Sequence, residues 1–518
     1  MHTHYLRIIS VEEKRGLCRI FYGARLYVRI LLVIFAGLLL FISFPRLNIW
    51  PAAFLAFLLF YFAVYGIRFR FAWLLGIIFG LTAYAPLIYW ITYVGYIPWI
   101  PLSIYMSLFT CVFAVFAWFL INRLPAASVF ALPAVWVLLE IARSSTRLAF
   151  SWGLVGYSQS GNLILLQFLR VGGVFSISFI VVLFSTALWY IISFRVRTRL
   201  GMISIIASTV ILISVLAHGS ASYFRLRGEG LNEYKTGNFK VELIQPNIPQ
   251  ELKLDMDQEY ISKVIEGLLR ENKSHDVDLI VLPESAVPYI INYDEYGTKW
   301  LKGLILEEGK PFLLGSSTVK GDSYYNSILL MSEKGELIDQ YDKINPVPFG
   351  EFIPLRSLLF WVPQLRYVPV DLSAGNRETV FSIDNVKVGG VICFESSLPG
   401  TMRVMRLNGA QLLFVLTNDG WFRRSSALDQ HFLMAAFRAI ENGVTVVQSA
   451  NTGISGAYLL DGRKLFSSAI EEKTVLIEEV PIYAISTIYS KIGDWGVIII
   501  CFISLISLIP YKIFYKNS

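Results

Sequence analysis

Seven long apolar segments occupy the first 218 residues of this 518-residue chain, and an eighth lies near its end. A helix needs about 20 apolar residues to cross a hydrocarbon layer of about 30 Å, and these segments approach or reach that length. Only 16% of the residues are charged, against about a quarter in soluble domains. The pattern predicts an α-helical membrane domain with eight transmembrane helices. The segments are residues 28–44, 49–66, 71–92, 102–121, 126–142, 171–194, 201–217 and 494–514.

Between residues 238 and 480 the charged residues return, and short apolar runs alternate with helix-like segments. Alternation of this kind indicates an α/β domain. Five runs are typical of buried strands, and two segments are typical of helices. The strands are predicted within 278–284, 310–317, 386–395, 410–419 and 444–453, and the helices at 261–273 and 428–442.

The placement of Lys and Arg predicts the orientation in the membrane, because these residues favour cytoplasmic connections. They gather in the N-terminal segment and in alternate connections, which puts both termini in the cytoplasm and the α/β domain outside it. In a bacterial cell this means the inner membrane, with the domain facing the periplasm. The net charge is +7, but the basic residues are localised along the chain, so we expect no nucleic-acid partner. The predicted organisation is a cytoplasmic segment at 1–27, transmembrane helices 1–7 within 28–220, a linker at 221–237, the α/β domain at 238–480, transmembrane helix 8 at 494–514 and a cytoplasmic tail at 515–518.

Four cysteines are present, at positions without the spacing of a zinc site or a disulfide framework. Cys393 is the one within the α/β domain, and it ends a predicted strand in GGVICFES. A lone thiol in an oxidising compartment is a liability unless it is used, although a buried core cysteine would show the same pattern. Cys393 is therefore a candidate nucleophile.

A cysteine nucleophile needs a nearby base or cation, since a free thiol is only slightly ionised near neutrality. Glu284 ends another apolar strand, in LIVLPES, and Lys343 lies in QYDKINPVPFGEF. Glu284 could serve as the base, and Lys343 could stabilise a thiolate or an oxyanion. Taken singly, Glu284 could equally be a surface carboxylate, and Lys343 a salt-bridge partner.

The segments LPES, YDKINPVPFGEF and VICFES, in this order, resemble the Glu–Lys–Cys arrangement of the nitrilase superfamily. The flanking segments 44–57, 135–159 and 417–422 resemble the apolipoprotein N-acyltransferase family, whose members are nitrilase relatives embedded in the membrane. The resemblance runs from about residue 30 to the last apolar segment. It implies eight transmembrane helices joined to a nitrilase-like αββα sandwich.

The resemblance also implies residue roles, with Cys393 as nucleophile, Glu284 as general base and Lys343 as electrostatic partner. From the residues alone, Glu351 would be a loop carboxylate paired with an arginine. Two positions depart from the family pattern, since many members have tyrosine at Phe394 and tryptophan at Leu254. Further residues expected at the pocket are Glu351, Glu395, Asn326, Trp421 and Phe394, the last through a nearby backbone N–H.

The reaction implied is acyl transfer in two halves. Cys393 takes the sn-1 chain of a phospholipid as a thioester, and the α-amine of a diacylglyceryl-cysteine apolipoprotein then accepts it. The expected partners are the phospholipid donor, the apolipoprotein acceptor and membrane lipids, and we expect a monomer. The chemistry calls for no metal or cofactor.

A long segment, residues 347–376, separates Lys343 from the strand that leads to Cys393. It is rich in proline and in aromatic residues and too apolar for disorder, so we predict a lid without regular structure that touches the bilayer. The alternative is a loop packed on the core of its own domain. The lipid-facing edge is predicted to comprise Leu358, Leu359, Phe360 and Trp361.

Two other functions fit parts of the pattern. A membrane-anchored amidase that hydrolyses a small amide would use the same Glu284, Lys343 and Cys393. An inactive scaffold that uses the fold for binding would have no need to retain these residues together with Glu351. The apolar segment and the membrane helices favour acyl transfer over hydrolysis.

Overall fold

The computed structural model describes residues 23–146, 148–194, 198–254, 257–272, 276–359, 361–362, 365 and 368–506. The chain divides into two compact units, Met1–Phe224 with Asp494–Ser518 and Arg225–Gly493. The second unit is therefore inserted into the chain of the first.

The first unit is helical, and its long helices coincide with the apolar segments of the sequence. Among the residues that the structure describes, five helical stretches are long and apolar enough to cross a membrane, at Phe69–Leu87, Tyr96–Arg123, Pro125–Ser144, Leu169–Ser193 and Arg199–Arg225. Three apolar helices are shorter, and residues 507–514 of the last predicted span lie outside the described residues. The helices are α1 Leu26–Ile42, α2 Ala52–Val64, α3 Ala72–Leu87, α4 Tyr96–Arg123, α5 Pro125–Ser144, α6 Leu163–Leu166, α7 Leu169–Ser193 and α8 Arg199–Arg225, followed at the end of the described chain by Trp495–Ile506.

Small residues allow α3 and α4 to approach closely. A Cβ atom on Gly76 would lie 2.6 Å from the backbone oxygen of Thr110, so a larger side chain would not fit there. The Thr110 hydroxyl instead donates to the Gly76 carbonyl at 2.8 Å. Large apolar side chains such as Leu31, Ile206 and Ile213 remain exposed on the outside of the unit. Buried small residues and exposed aliphatic ones are typical of helices packed within lipid. The protein is a membrane protein.

The second unit contains all five strands and both helices that the sequence predicts, together with further elements. Strand β1 spans Lys235–Gln245 and is followed by α9 Gln250–Leu254, α10 Gln258–Glu271, β2 Leu279–Leu282, β3 Ile290–Ile291, α11 Glu295–Glu308, β4 Phe312–Lys320, β5 Ser323–Met331, β6 Leu337–Asp342 and α12 Arg356–Leu359. The chain continues through β7 Val380–Ile383, β8 Val386–Ile392, α13 Pro399–Leu407, β9 Leu412–Thr417, α14 Ser426–Asn442, β10 Thr445–Ala450, β11 Gly456–Tyr458, β12 Lys464–Ser467, β13 Thr474–Tyr483 and α15 Ile488–Ile492.

The strands form two mixed sheets. One has the order β13-β1-β2-β4-β5-β6, with β3 paired to β4, and the other has the order β12-β11-β10-β9-β8-β7. Strands β1, β2 and β4 run parallel to one another, as do β8, β9 and β10, while the outer pairs are antiparallel. The central strands are buried on both faces, which explains their nearly continuous apolar sequences.

Alternate residues of the central strands face different layers. On β2, Leu279 and Val281 belong to the core between the two sheets, whereas Ile280 and Leu282 pack with residues of α10 and α11. On the other side, Met402 of α13 and Phe432 of α14 join the core of the second sheet. The unit is thus a four-layered αββα arrangement, and its parallel strands end at one edge.

Candidate active site

The candidate residues follow the carboxyl ends of parallel strands, where open α/β sheets place their functional groups. Glu284 lies two residues after β2, Cys393 directly follows β8, and Asn418 directly follows β9. The backbone N–H of Asn418 donates to Oε2 of Glu284 at 2.8 Å. This bond joins the two sheets and places the Glu284 carboxylate at the end of β9, the strand that pairs with β8.

Cys393 occupies a sharp turn from strand to helix. Its φ angle is +51°, in the left-handed region that non-glycine residues rarely adopt, and a short 3-10 helix runs from Cys393 to Ser397. Ser285, directly after Glu284, has a φ angle of +48°. Conformations of this kind cost on the order of 1–3 kcal/mol each and cluster at active sites.

Lys343 lies between two carboxylates and is 2% exposed. Its Nζ atom is 2.9 Å from Oε2 of Glu351 and 3.7 Å from Oε1 of Glu284. The side-chain amide of Asn326 donates to both glutamates, at 2.8 Å in each case. The Asn326 amide and the Lys343 ammonium together hold the carboxylates of Glu284 and Glu351 close to each other.

This arrangement changes the acidity of each group. Burial, with a further contribution from the Glu351 charge, raises the pKa of Glu284, although Lys343 acts in the opposite direction. Burial opposes the charge on Lys343, but Glu351 and Glu284 outweigh it and raise the Lys343 pKa. Burial and the Glu284 charge raise the pKa of Cys393 well above its usual value, and Lys343 partly offsets them. The resting site therefore holds a neutral thiol beside a carboxylate of increased basicity.

Glu395 connects the Cys393 turn to the segment that contains Lys343. Its Oε1 atom accepts the backbone N–H groups of Ile344 and Asn345 at 2.9 Å, and Oε2 accepts that of Ile392 at 3.0 Å. The Tyr341 hydroxyl donates to the same carboxylate at 2.9 Å. Because these donors flank Lys343 and Cys393 along the chain, Glu395 fixes the position of one relative to the other.

Comparison with known proteins identifies the family. The family model described as apolipoprotein N-acyltransferase N-terminal domain matches residues 36–187, and the carbon-nitrogen hydrolase model matches residues 240–489. A relative from Geobacter metallireducens named apolipoprotein N-acyltransferase is 34% identical over 90% of this chain and 91% of its own length. The chain belongs to the apolipoprotein N-acyltransferase family. A second relative of that name, from Aquifex aeolicus, is 32% identical over 81% of this chain and 91% of its own length.

A solved structure of a nitrilase-superfamily member from Saccharomyces cerevisiae also matches part of this N-acyltransferase family member. The match covers 48% of this chain and 91% of that protein, with 20% sequence identity and a TM-score of 0.37.

The structure brings most of the predicted site residues together. Glu284 is 7% exposed, so the alternative of a surface carboxylate is wrong. Glu351 pairs with Lys343, so its assignment as the partner of an arginine is also wrong. Phe394 is buried directly after the cysteine, whereas Trp421 is 41% exposed in the 3-10 helix Asp419–Phe422. The Leu254 side chain lies outside the described residues.

The segment 347–376 is not devoid of regular structure, in contrast to the prediction. It contains α12, and Nε of Arg356 donates to Oδ2 of Asp371 at 3.0 Å, which links two distant parts of the segment. Leu358 and Trp361 are 65% and 68% exposed, Leu359 is partly buried, and Phe360 lies outside the described residues. The described part of the predicted edge thus presents apolar side chains at the surface.

Sequence reasoning did not identify Asp419 and His431. Nδ1 of His431 lies 2.8 Å from Oδ1 of Asp419, and Nε2 lies 3.0 Å from the backbone oxygen of Cys393. In the described part of the chain, Cys393, Asp419 and His431 form a group whose potential metal-binding atoms lie within 4.8 Å of one another. Both ring nitrogens already have protein partners, which makes the imidazole a poor metal ligand. The available sequence signal was a histidine within the amphipathic helix 428–442, followed directly by the apolar run 432–437.

Proposed function

We propose that this protein transfers an acyl chain from the sn-1 position of a phospholipid to the α-amino group of an apolipoprotein whose N-terminal residue is a diacylglyceryl-cysteine. The single observation that carries the chemistry is the buried cluster in which Lys343 pairs with Glu351 and lies near Glu284, while the charges of Glu284 and Lys343 act on Cys393. Membership of the N-acyltransferase family supplies the substrates.

In the first half, Glu284 removes the proton of Cys393 as the sulfur attacks the ester carbonyl. The S–C bond forms, the ester C–O bond breaks, and the proton on Glu284 passes to the departing oxygen of the lysophospholipid. Since the Cys393 pKa is raised, the thiol needs this base, and burial gives Glu284 the basicity for the task. The product is a thioester on Cys393.

In the second half, the α-amine of the apolipoprotein attacks the thioester carbonyl. The N–C bond forms, the C–S bond breaks, and Glu284 carries the amine proton to the departing thiolate. Division into two steps replaces one difficult transfer by two easier ones. The ammonium of Lys343 and a backbone N–H near Phe394 stabilise the oxyanion in both halves, where fixed donors in a buried site act most strongly.

Four other residues support this chemistry. Glu351 and Asn326 hold Lys343 and Glu284, and Glu395 holds the Lys343 segment against the nucleophile turn. Trp421, partly exposed beside Asp419, borders the substrate pocket. None of these steps uses a metal or a cofactor.

The membrane helices provide the environment that the substrates require. Burial of an acyl chain is favourable by about 0.8 kcal/mol per methylene, so bringing about 15 methylenes into water costs on the order of 12 kcal/mol. The ester must therefore reach Cys393 while its chain stays in lipid or in a protein groove. We propose eight spans in the inner membrane at residues 28–220 and 494–514, with a periplasmic catalytic domain at 238–480 preceded by the linker 221–237. The segments 1–27 and 515–518 are cytoplasmic in this proposal, and the enzyme is a monomer.

We further propose that the segment 347–376 is a lid that contacts the bilayer. The exposed Leu358 on α12 and the exposed Trp361 just after it support this role, because apolar side chains at the surface can insert into the interface between lipid and water. Leu359 and Phe360 complete the proposed edge.

The decisive experiment uses the purified full-length protein with phospholipid alone. Mass spectrometry should find an acyl adduct on Cys393 that persists in water and is discharged as an N-acyl product by a diacylated lipopeptide. An adduct cleared by water alone would favour the amidase, and the absence of an adduct would contradict the proposed function. The Cys393→Ala variant serves as the control, since it lacks the sulfur that receives the chain.

A further inference from the structure

His431 is completely buried on α14, behind the nucleophile turn. Its Nδ1 atom contacts the Asp419 carboxylate at 2.8 Å, and its Nε2 atom contacts the backbone oxygen of Cys393 at 3.0 Å and the Ser396 hydroxyl at 2.9 Å. The imidazole therefore connects the end of β9 with the turn that follows β8.

The identity of these partners determines the protonation of the ring. A carboxylate and a peptide carbonyl are acceptors only, so a ring that bonds with both of them carries a hydrogen on each nitrogen. The Ser396 hydroxyl, which can donate or accept, then accepts from Nε2 together with the Cys393 carbonyl. His431 is then an imidazolium, and its charge balances that of the buried Asp419, which also accepts the Thr417 hydroxyl at 2.8 Å. Burial lowers the pKa of His431, but the Asp419 charge outweighs it, so that the pKa is raised, in agreement with the geometry.

The bond to the Cys393 carbonyl has a consequence for the neighbouring amide. A peptide group is planar and almost always trans, so its C=O and N–H point in opposite directions. The carbonyl of Cys393 shares its peptide with the N–H of Phe394, which the proposed mechanism uses as an oxyanion donor. By holding the carbonyl on one side, His431 sets the direction of the N–H on the other and makes it a stronger donor by polarising the peptide.

We propose that His431 is a positioning residue, a buried imidazolium held by Asp419 that fixes the Cys393–Phe394 peptide so that its N–H faces the reacting carbonyl. The groups that face the imidazolium are Asp419 from the end of β9, Cys393 and Ser396 from the turn after β8, and the Glu284 charge from the end of β2. This inference rests on the proposed function, since it concerns the oxyanion of acyl transfer.

The test compares two reactions of the same sulfur in the full-length protein. Acylation by phospholipid forms an oxyanion, whereas alkylation by iodoacetamide displaces iodide and forms none. In the His431→Gln variant we expect thioester formation to slow by roughly 100-fold, a typical result of misplacing a catalytic group, while the phospholipid KM stays unchanged. Alkylation should slow much less. The His218→Gln variant makes the same substitution in α8 and should match the wild type in both reactions.

A second variant, Asp419→Asn, keeps the side-chain volume but removes the charge that holds the imidazolium, and it should show the same split between acylation and alkylation. This variant decides the matter if His431→Gln does not fold. Equal losses in acylation and alkylation, or wild-type acylation in either folded variant, would overturn the inference. Failure of the wild type to form a thioester would instead contradict the proposed function, so the two failures can be distinguished.

Discussion

The ammonium of Lys343 lies 2.9 Å from a carboxylate oxygen of Glu351, closer than the 3.7 Å that separates it from Glu284. The shorter ion pair at the site is therefore the one between Lys343 and Glu351, and it does not include Glu284, the proposed base. Burial, with the Glu351 charge, keeps the pKa of Glu284 raised although Lys343 acts to lower it. A base paired more tightly with the lysine would be a weaker one.

Replacement of Glu351 by glutamine should weaken the base. The Glu351 charge raises the pKa of Glu284, so its removal lowers that pKa. The Lys343 ammonium then has Glu284 as its ion-pair partner and no longer shares its charge with Glu351. We expect thioester formation to slow by roughly 100-fold, near the lower end of the contribution of general acid–base catalysis. Lysophospholipid release in a single turnover measures the rate. Glu333→Gln, at an exposed turn, is the matched control, and an unchanged rate in Glu351→Gln would contradict this account.

The wild-type enzyme should lose activity in acid at a higher pH than an ordinary glutamate would dictate. Glu284 acts in its deprotonated form, and burial raises its pKa above the usual 4.5. As the pH falls through this raised pKa, Glu284 takes up a proton and thioester formation stops. The pH dependence of kcat/KM for lysophospholipid release should therefore show an acid limb above pH 4.5. That limb should disappear in the slow Glu284→Gln variant, and its persistence there would assign it to another group.

Glu395→Gln should impair both stability and catalysis. The carboxylate accepts several buried hydrogen bonds, and an amide in its place presents a donor to backbone N–H groups that are themselves donors. We expect a loss of about 1–3 kcal/mol in the free energy of unfolding, the usual cost of an unsatisfied buried group, together with slower thioester formation. Tyr341→Phe removes the hydroxyl that is shared between the two Glu395 oxygens but leaves the backbone hydrogen bonds intact, and it should cost about 1 kcal/mol. Denaturant unfolding and single-turnover assays of both variants test whether Glu395→Gln has the larger effect. A larger loss of stability or rate in Tyr341→Phe would contradict this prediction.

Glu242 should make the protein less stable as the pH rises. Burial, with a contribution from Glu308, raises its pKa to about 7. The folded protein then keeps a proton that the unfolded chain releases, so the free energy of unfolding falls between pH 4.5 and about 7. Glu242→Gln should therefore melt at a higher temperature than the wild type above pH 7, and the difference should disappear below pH 4.5.

Thermal unfolding of the detergent-solubilised chain across this range measures the effect of Glu242. Glu479→Gln changes an exposed carboxylate on β13 of the same sheet and should show no such pH dependence. A difference between Glu242→Gln and the wild type that did not vary with pH would assign the effect to packing.

The lid proposal predicts a dependence on chain length. In the double variant Leu358→Ser and Trp361→Ser, the two exposed side chains lose their affinity for the lipid interface, while the buried core is untouched. Thioester formation from long-chain phospholipid should slow several-fold, in keeping with the loss of about 1 kcal/mol of interfacial burial. Acylation of Cys393 by a short-chain, water-soluble ester should keep its rate. Equal effects on both substrates, or none on the phospholipid, would remove the lid from the mechanism.

The sequence predicts much of the fold because the strongest signals are local. Apolar length marks the helices of the first unit, and Glu284 and Cys393 each follow an uninterrupted apolar strand. The pairing of Lys343 with Glu351 was not predicted, because it depends on the fold of the intervening loop. Asp419 and His431 belong to different elements and meet only when α14 packs behind β8 and β9. A polar side chain that is buried in a helix needs a hydrogen-bond partner, but the sequence does not show which residue that partner is.

The second unit begins and ends in the first, since the chain leaves the helical bundle near residue 225 and returns to it near residue 493. A single cut by a protease in any loop of the second unit therefore releases nothing, because each fragment remains covalently attached to a helix of the bundle. Two cuts, one on either side, are needed to free this part of the molecule. An enzyme built in this way can be cut once within the second unit while both resulting fragments stay attached to the helices of the first unit.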